Sequence, residues 1–255
     1  MGAPGGARRG IFVTGTDTGA GKSALAGTIC ATLAARGERV AAFKPAVTGL
    51  DEPHGEWPPD HELLAGTASA GQSPDEVAPY RFGPPVSPHY AAELAGTRIE
   101  RETLLEAARG AAEGSETLVV EGVGGLMVPL GADYLVRDLA VDLGLPLVVA
   151  ARTGLGTINH TLLALEAART AGLRVCGVVM TPWTADPEPI ERSNRETVEW
   201  LAGVRVSELA PTDPSSLAEA GCGLPLDEWL TGEGLGQGTL TMSTGGLRGD
   251  QAHKR

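Results

Sequence analysis

Residues 10–24, Gly-Ile-Phe-Val-Thr-Gly-Thr-Asp-Thr-Gly-Ala-Gly-Lys-Ser-Ala, leave this chain very few folds. The apolar run Ile11-Phe12-Val13 reads as a buried strand, Thr14–Ala20 as a turn, and Gly21-Lys22-Ser23 as the opening of a helix. Strand, loop and helix N-terminus in that order let backbone N–H groups wrap phosphates. Lys22 offers a point charge to the terminal phosphates, and the Ser23 hydroxyl offers a ligand to Mg²⁺. A lysine at a helix start opposes the macrodipole unless an anion is bound, which argues against a Gly-rich turn without a ligand. Gly19-Ala20-Gly21-Lys22-Ser23-Ala24 also fits the dinucleotide fingerprint, but that reading needs an acid after the second strand, and Arg39–Phe43 ends in Lys44-Pro45. The spacing is irregular: five residues rather than four separate Gly15 from Gly21.

Downstream, apolar runs alternate with helical patterns. Strands are expected at Arg39–Phe43, Thr117–Val120 (ending at Glu121), Pro146–Ala151, Val175–Met180 and Val204–Val206, with an extended stretch at Val77–Phe82. Helices are expected over Lys22–Arg36, His61–Thr67, from Ser87-Pro88, Glu100–Ala112, Tyr134–Leu143, Thr157–Ala171 and Ile190–Ala202. Continuous apolar strands separated by helices predict a doubly wound, mainly parallel sheet with helices on both faces, of the P-loop α/β type. The expected organisation is a flexible leader (1–9), one domain (10–231) and a Gly/Thr/Ser-rich disordered tail (232–255). At 42% hydrophobic and 4% aromatic residues, the core must be mostly Ala, Val and Leu. The net charge of −12 argues against nucleic acid or an anionic membrane as partner. Cys30, Cys176 and Cys222 lack metal spacing and read as reduced, buried thiols. With no signal peptide or membrane-length apolar run, a cytoplasmic protein is expected.

In such sheets ligands gather at the carboxyl ends of the strands. Glu121 closes an apolar strand ahead of Gly122-Val123-Gly124-Gly125, a backbone that a ligand can approach, and its carboxylate suits a Mg²⁺ shared with Ser23. A solvent-facing strand-end glutamate is the plainer alternative. Asp60 precedes a helix, where an N-cap needs no metal, and the residues alone leave both roles open. Lys44, in Phe43-Lys-Pro-Ala-Val-Thr48-Gly49, is a second cation facing the loop, suited to phosphoryl transfer or an anionic co-substrate; a solvated lysine is its alternative. Another helix starts at Gly156-Thr157-Ile158-Asn159-His160, whose amides can take an anion.

Four motifs together resemble ATP-dependent dethiobiotin synthetases: Gly15-Thr-Asp-Thr18…Gly21-Lys-Ser23, Lys44-Pro…Thr48-Gly49, Val120-Glu-Gly-Val-Gly-Gly125-Leu and Leu155-Gly-Thr-Ile-Asn-His160. The resemblance runs from about residue 11 to residue 210, and the extra loop residue belongs to that family's modified phosphate loop. It implies that 7,8-diaminononanoate takes up CO₂ as a carbamate, which attacks the γ-phosphate; the carbamic–phosphoric anhydride then closes to a cyclic urea. It implies Lys22 and the amides of Gly19, Ala20, Gly21, Ser23 and Ala24 on the phosphates, with Gly122, Val123 and Gly124 beside the nucleotide. Ser23, Asp60 and Glu121 would arrange Mg²⁺, while Lys44 with Thr18 would stabilise the carbamate and the moving phosphoryl group. Thr48 would contact the amine or carbamate. The family is homodimeric, and the substrate carboxylate would sit on Gly156, Thr157, Ile158 and Asn159 of the other subunit.

Two positions depart from the family. Gly19 replaces a common Glu, and Thr181-Pro182 stands where an adenine-reading Asn is expected. A hydroxyl cannot match the paired donor and acceptor of an amide, so use of CTP or GTP besides ATP is expected. Pro211, Thr212 and Asp213 are candidates to cover the base. The rival readings are a related synthetase with a fused glutaminase, for which the chain is too short, a partition-type ATPase, and a non-catalytic nucleotide-binding regulator. Partition-type ATPases usually carry an early second lysine where this chain has Thr16 or Asp17.

Overall fold

The computed structural model describes residues 9–53 and 55–231. The leader expected at 1–9, apart from Arg9, and the tail expected at 232–255 lie outside the described residues; Arg9 is paired with Glu38 at 3.1 Å.

In chain order the elements are β1 (Gly10–Gly15), α1 (Lys22–Ala35), β2 (Val40–Phe43), β3 (Ala46–Val47), α2 (Asp60–Thr67), α3 (Pro74–Val77), β4 (Tyr80–Arg81), α4 (Pro88–Leu94) and α5 (Arg101–Ala112). They continue as β5 (Thr117–Gly125), β6 (Pro129–Gly131), β7 (Tyr134–Leu135), α6 (Val136–Leu143), β8 (Leu147–Ala151), α7 (Thr157–Thr170) and β9 (Val175–Met180). The last are α8 (Pro189–Ala202), β10 (Val206–Glu208), α9 (Leu217–Ala220) and α10 (Leu226–Thr231).

The main sheet has the order β10-β9-β8-β1-β5-β2, and every pairing in it is parallel. Its strands are buried on both faces, which explains why they read as apolar runs rather than as alternations. One core face packs Ile11, Val13 and Val148 against Leu25 and Ile29 of α1, with Trp229 of α10. The other packs Phe12, Val120 and Val149 against α5, α6 and α7 through Leu104, Leu139 and Leu165.

β1 continues toward β2, while β5 continues past β1 to β8, so the two connections leave in opposite directions. With right-handed crossovers this sends α1 and α6 to opposite faces and opens a crevice at the carboxyl ends of β1 and β5.

Several local expectations need correction. Val77 ends a one-turn helix rather than beginning an extended stretch, because Ser73 and Glu76 form a capping box with Pro74 at the first helical position. The strand from Thr117 does not stop before Glu121 but runs to Gly125, so Glu121 lies inside it. Tyr134-Leu135 pairs with β6 and α6 starts one residue later, and the last strand is Val206–Glu208. Cys30 and Cys176 are buried, whereas Cys222 is exposed. No described helix is long and apolar enough to cross a membrane.

Trp229 is 1% exposed and its indole packs on Gly177 of β9. Trp229→Ala should lower unfolding free energy by about 3–5 kcal/mol in urea titrations, while a loss under about 1 kcal/mol would show that α10 does not cover the core.

Candidate active site

β1 delivers the chain to the sheet's carboxyl edge at Gly15 and α1 begins at Lys22, so residues 16–21 form the loop. Gly21 caps α1 with φ 86°, and a Cβ there would lie 2.4 Å from Thr181 Cγ2, so both conformation and space require glycine. Three bonds fix the loop: the Thr18 N–H donates to Asp17 Oδ1 (2.7 Å), Lys22 Nζ to the Asp17 carbonyl (2.9 Å), and Arg152 Nη2 to the Thr18 carbonyl (2.7 Å). Ala20 is the buried residue of the loop, and Ala24 follows in the first turn of α1. Burial holds the Lys22 ammonium below the ordinary lysine value, and the charge of Lys44 acts in the same direction.

Behind the loop lies a charge cluster. Lys44 Nζ sits 2.6 Å from Glu121 Oε1 and 2.9 Å from Asp60 Oδ2, and Ser23 Oγ donates to Glu121 Oε1 at 2.8 Å. Lys44 is 3% exposed and Glu121 0%, which rules out the solvated alternatives for both. Asp60 is the first residue of α2 and Pro59 its N-cap, without a side-chain cap bond, so the Asp60 carboxylate serves Lys44 rather than the helix end. Burial opposes the charge on Lys44, yet the two carboxylates outweigh it and raise the ammonium above its usual value. Burial likewise pushes Glu121 up, with Lys44 only partly offsetting it. Burial also works to raise Asp60, but the contact with Lys44 wins and holds that carboxyl below its usual value.

A hydroxyl and two carboxylates are hard oxygen donors of the kind Mg²⁺ takes. Glu121 Oε2 is buried with no hydrogen-bond partner, an acceptor left over beside the loop. Ser23, Asp60 and Glu121 therefore fit the ion.

A cavity of about 450 Å³ lies over this group, lined by Gly19, Lys22, Ser23, Ala24, Lys44 and Glu121 among others. A second of about 610 Å³ adjoins it, and the two share Thr18, Thr48, Trp57, Pro58, Asp60, Val123 and Gly124. Gly124 (φ 60°) belongs to the irregular stretch of β5: Val13 pairs with Glu121 but Gly15 with Gly125, so the register jumps across residues 122–124. Gly122 is buried against Phe12 and Val136 and lines neither cavity.

The other expected site residues lie apart from both linings. Thr181 is buried under Gly21 and joined to Pro182 by a cis peptide bond. Pro211, Thr212 and Asp213 lie after β10, where Asp213 caps Ser215 and Ser216. Gly156, Thr157, Ile158 and Asn159 open α7; Thr157 is buried with its hydroxyl on the Arg152 carbonyl (2.6 Å), whereas Asn159 and His160 are exposed.

Two residues had no assigned role in the sequence reading. Arg152 holds the loop from the end of β8, a contact that strand-end position alone hinted at. Trp57 lines both cavities from a Pro-rich loop that carries no motif.

Fold and site together define a P-loop nucleotide-binding protein. A family model described as an AAA domain matches residues 9–215. The chain is 36% identical over 203 residues to ATP-dependent dethiobiotin synthetase BioD of Bacillus subtilis (strain 168), covering 80% of this chain and 87% of that protein. It is 41% identical over 207 residues to the protein of the same name from Anaeromyxobacter dehalogenans (strain 2CP-C), covering 81% and 91%. The chain belongs to the ATP-dependent dethiobiotin synthetase family. Among solved structures, the MinC:MinD cell division protein complex of Aquifex aeolicus aligns with a TM-score of 0.53 at 14% identity over 86% of this chain and 89% of that one, a likeness of fold alone.

Removing one member of the buried cluster strands the others. Lys44→Gln and Glu121→Gln should each lower stability by about 3 kcal/mol or more, and the double variant by clearly less than their sum. Urea unfolding of the three ligand-free variants checks this; strictly additive losses would mean that the charges are not coupled.

Proposed function

We propose that this chain is a dethiobiotin synthetase, a cytoplasmic homodimer whose residues 10–231 act as one unit. It carboxylates and closes 7,8-diaminononanoate with CO₂ at the expense of a nucleoside triphosphate and Mg²⁺. The observation that carries this reading is the buried Lys44 ammonium, set between Glu121 and Asp60 where the phosphate cavity opens into a second cavity.

One amine of the substrate adds to CO₂ and releases a proton, giving a carbamate. Lys22 and the amides of Gly19–Ala24 hold the β- and γ-phosphates in a fixed pose. Ser23, Asp60 and Glu121 would hold Mg²⁺, which when bound neutralises charge on those phosphates. Lys44 and Thr18 orient the carbamate oxygen for attack on the γ-phosphorus, and the bond to the departing nucleoside diphosphate breaks. Because two carboxylates keep Lys44 protonated, it acts as a fixed charge throughout and not as a proton donor. Thr48, on the border of both cavities, binds the amine end. The second amine then attacks the carbonyl carbon, the bond to phosphate breaks, and the cyclic urea forms.

The start of α7, with Gly156, Thr157, Ile158 and Asn159, takes the substrate carboxylate of the other subunit; its absence from both cavity linings of its own chain supports that division. Val123 and Gly124 flank the nucleotide, and Pro211–Asp213 cover the base. Thr181, buried against Gly21, has no amide with which to read adenine, so ATP, CTP and GTP all serve.

Phosphate release should require the diamine and bicarbonate together and should stop on chelation of Mg²⁺; release without the diamine would overturn the reading. Initial rates with CTP and GTP should fall within about a hundredfold of those with ATP, and a larger gap would sink the relaxed base choice. Lys44→Gln, assayed where circular dichroism shows it folded, should lose turnover by about a thousandfold or more while binding nucleotide nearly normally. Equal loss of both would remove Lys44 from the transfer step.

A further inference from the structure

The cavity of about 610 Å³ has a lining that a triphosphate does not need. Its floor is fixed by backbone bonds that extend the β3–β4 pair: the Gly49 N–H donates to the Pro84 carbonyl (3.0 Å), Leu50 to Phe82 (3.2 Å) and Asp51 to Gly83 (3.0 Å). The lining carries Pro53, Pro58, Pro59, Pro85 and Pro88, whose rings fix the backbone before any ligand arrives. Val47, Leu50, Val86 and Val128 add an apolar strip to this trough, whose lining also holds Glu52 and Ser87. Trp57, half-buried, is the one aromatic side chain among the described residues lining either cavity, and it lines both. The polar groups shared by the two cavities, Thr18, Thr48 and Asp60, mark the junction where a diamine head would meet the phosphates.

We propose that Trp57 is a specificity-determining residue that covers the aliphatic chain of the substrate, so that the enzyme selects a vicinal diamine carried on a long unbranched chain. This rests on the ligase reading above. A polar head at the junction leaves the chain to the trough, where each buried methylene adds about fourfold in affinity and the indole supplies a large rigid surface.

The test uses the full-length enzyme with Trp57→Ala and Trp57→Phe. Trp57→Ala should raise KM for the diamine about tenfold, with kcat and KM for ATP changed less than about twofold, and Trp57→Phe should fall between. The wild type should prefer the natural diamine over a homologue two methylenes shorter by about tenfold or more, and Trp57→Ala should compress that preference to about threefold. Binding of the diamine should shift the tryptophan emission of the wild type, and the shift should vanish in Trp57→Phe, which keeps Trp183, Trp200 and Trp229. Unchanged KM and chain-length preference, an equal rise in both KM values, or a shift that is absent from the wild type or survives in Trp57→Phe would each overturn the assignment. A wild type that releases no phosphate with diamine and bicarbonate would overturn the ligase reading instead, while the emission titration would still decide the role of Trp57.

Discussion

The carboxyl edge of this sheet depends on keeping a lysine charged inside protein. An ammonium buried alone would give up its proton, and Lys44 keeps it because carboxylates from two distant segments close on it at 2.6 and 2.9 Å. Its backbone is equally constrained, since Pro45 follows it and its N–H donates to the Val77 carbonyl at 2.9 Å. The cluster therefore ties β2, β5 and the start of α2 to one point. Lys22 and Lys44 against Asp60 and Glu121 sum to no net charge. In the proposed site, attraction for a triphosphate then falls to the loop amides and the start of α1, which would let a chain of net charge −12 hold a polyanion.

Topology decides why these groups meet where they do. β1 and β5 are neighbours whose onward connections run in opposite directions on opposite faces of the sheet, which leaves a crevice between their carboxyl ends. The phosphate loop leaves one of these strands, and Glu121 lies in the other at the level of Val13. Arg152, reaching from β8 on the far side of β1, hooks the Thr18 carbonyl, and the Thr157 hydroxyl ties the same residue's backbone to α7. Asn194 of α8 donates to the carbonyls of Thr153 and Gly154, so the segment that opens α7 is held from the phosphate loop and from the neighbouring helix at once.

Much of this was legible in the sequence because local chemistry and global fold agree. The apolar strands, the loop with its odd spacing and the helix starting at Lys22 each admit few alternatives, and the parallel sheet follows from them. Glu121 was found as a strand-end acid but for an incomplete reason: the strand continues through a glycine-rich irregularity that periodicity cannot register, and this continuation buries the carboxylate. The role of Asp60 was undecidable from residues alone, since a cap and a metal ligand look identical there, and its partner Lys44 at 2.9 Å is seen only in the fold. Arg152 was only hinted at and Trp57 stayed hidden, because one holds a loop and the other lines cavities built from segments far apart in the chain, and neither a strand-end arginine nor a proline-rich loop carries spacing that announces this.

The same sheet also serves proteins of other functions, as the likeness to the MinC:MinD complex at 14% identity makes plain, so the fold by itself fixes little beyond phosphate binding. What separates this chain is local. Partition-type ATPases usually place a second lysine early in the loop; here Thr16 and Asp17 occupy that stretch, and the Asp17 carbonyl accepts the bond from Lys22. The second cation instead comes from the end of β2, on the side where the phosphate cavity opens into a proline-walled apolar trough. A cation supplied from that direction, next to room for an aliphatic molecule, suits the capture of a small anionic co-substrate better than hydrolysis by water. In the proposed mechanism it is the position of Lys44, more than the presence of a phosphate loop, that would turn a shared nucleotide fold toward ligation.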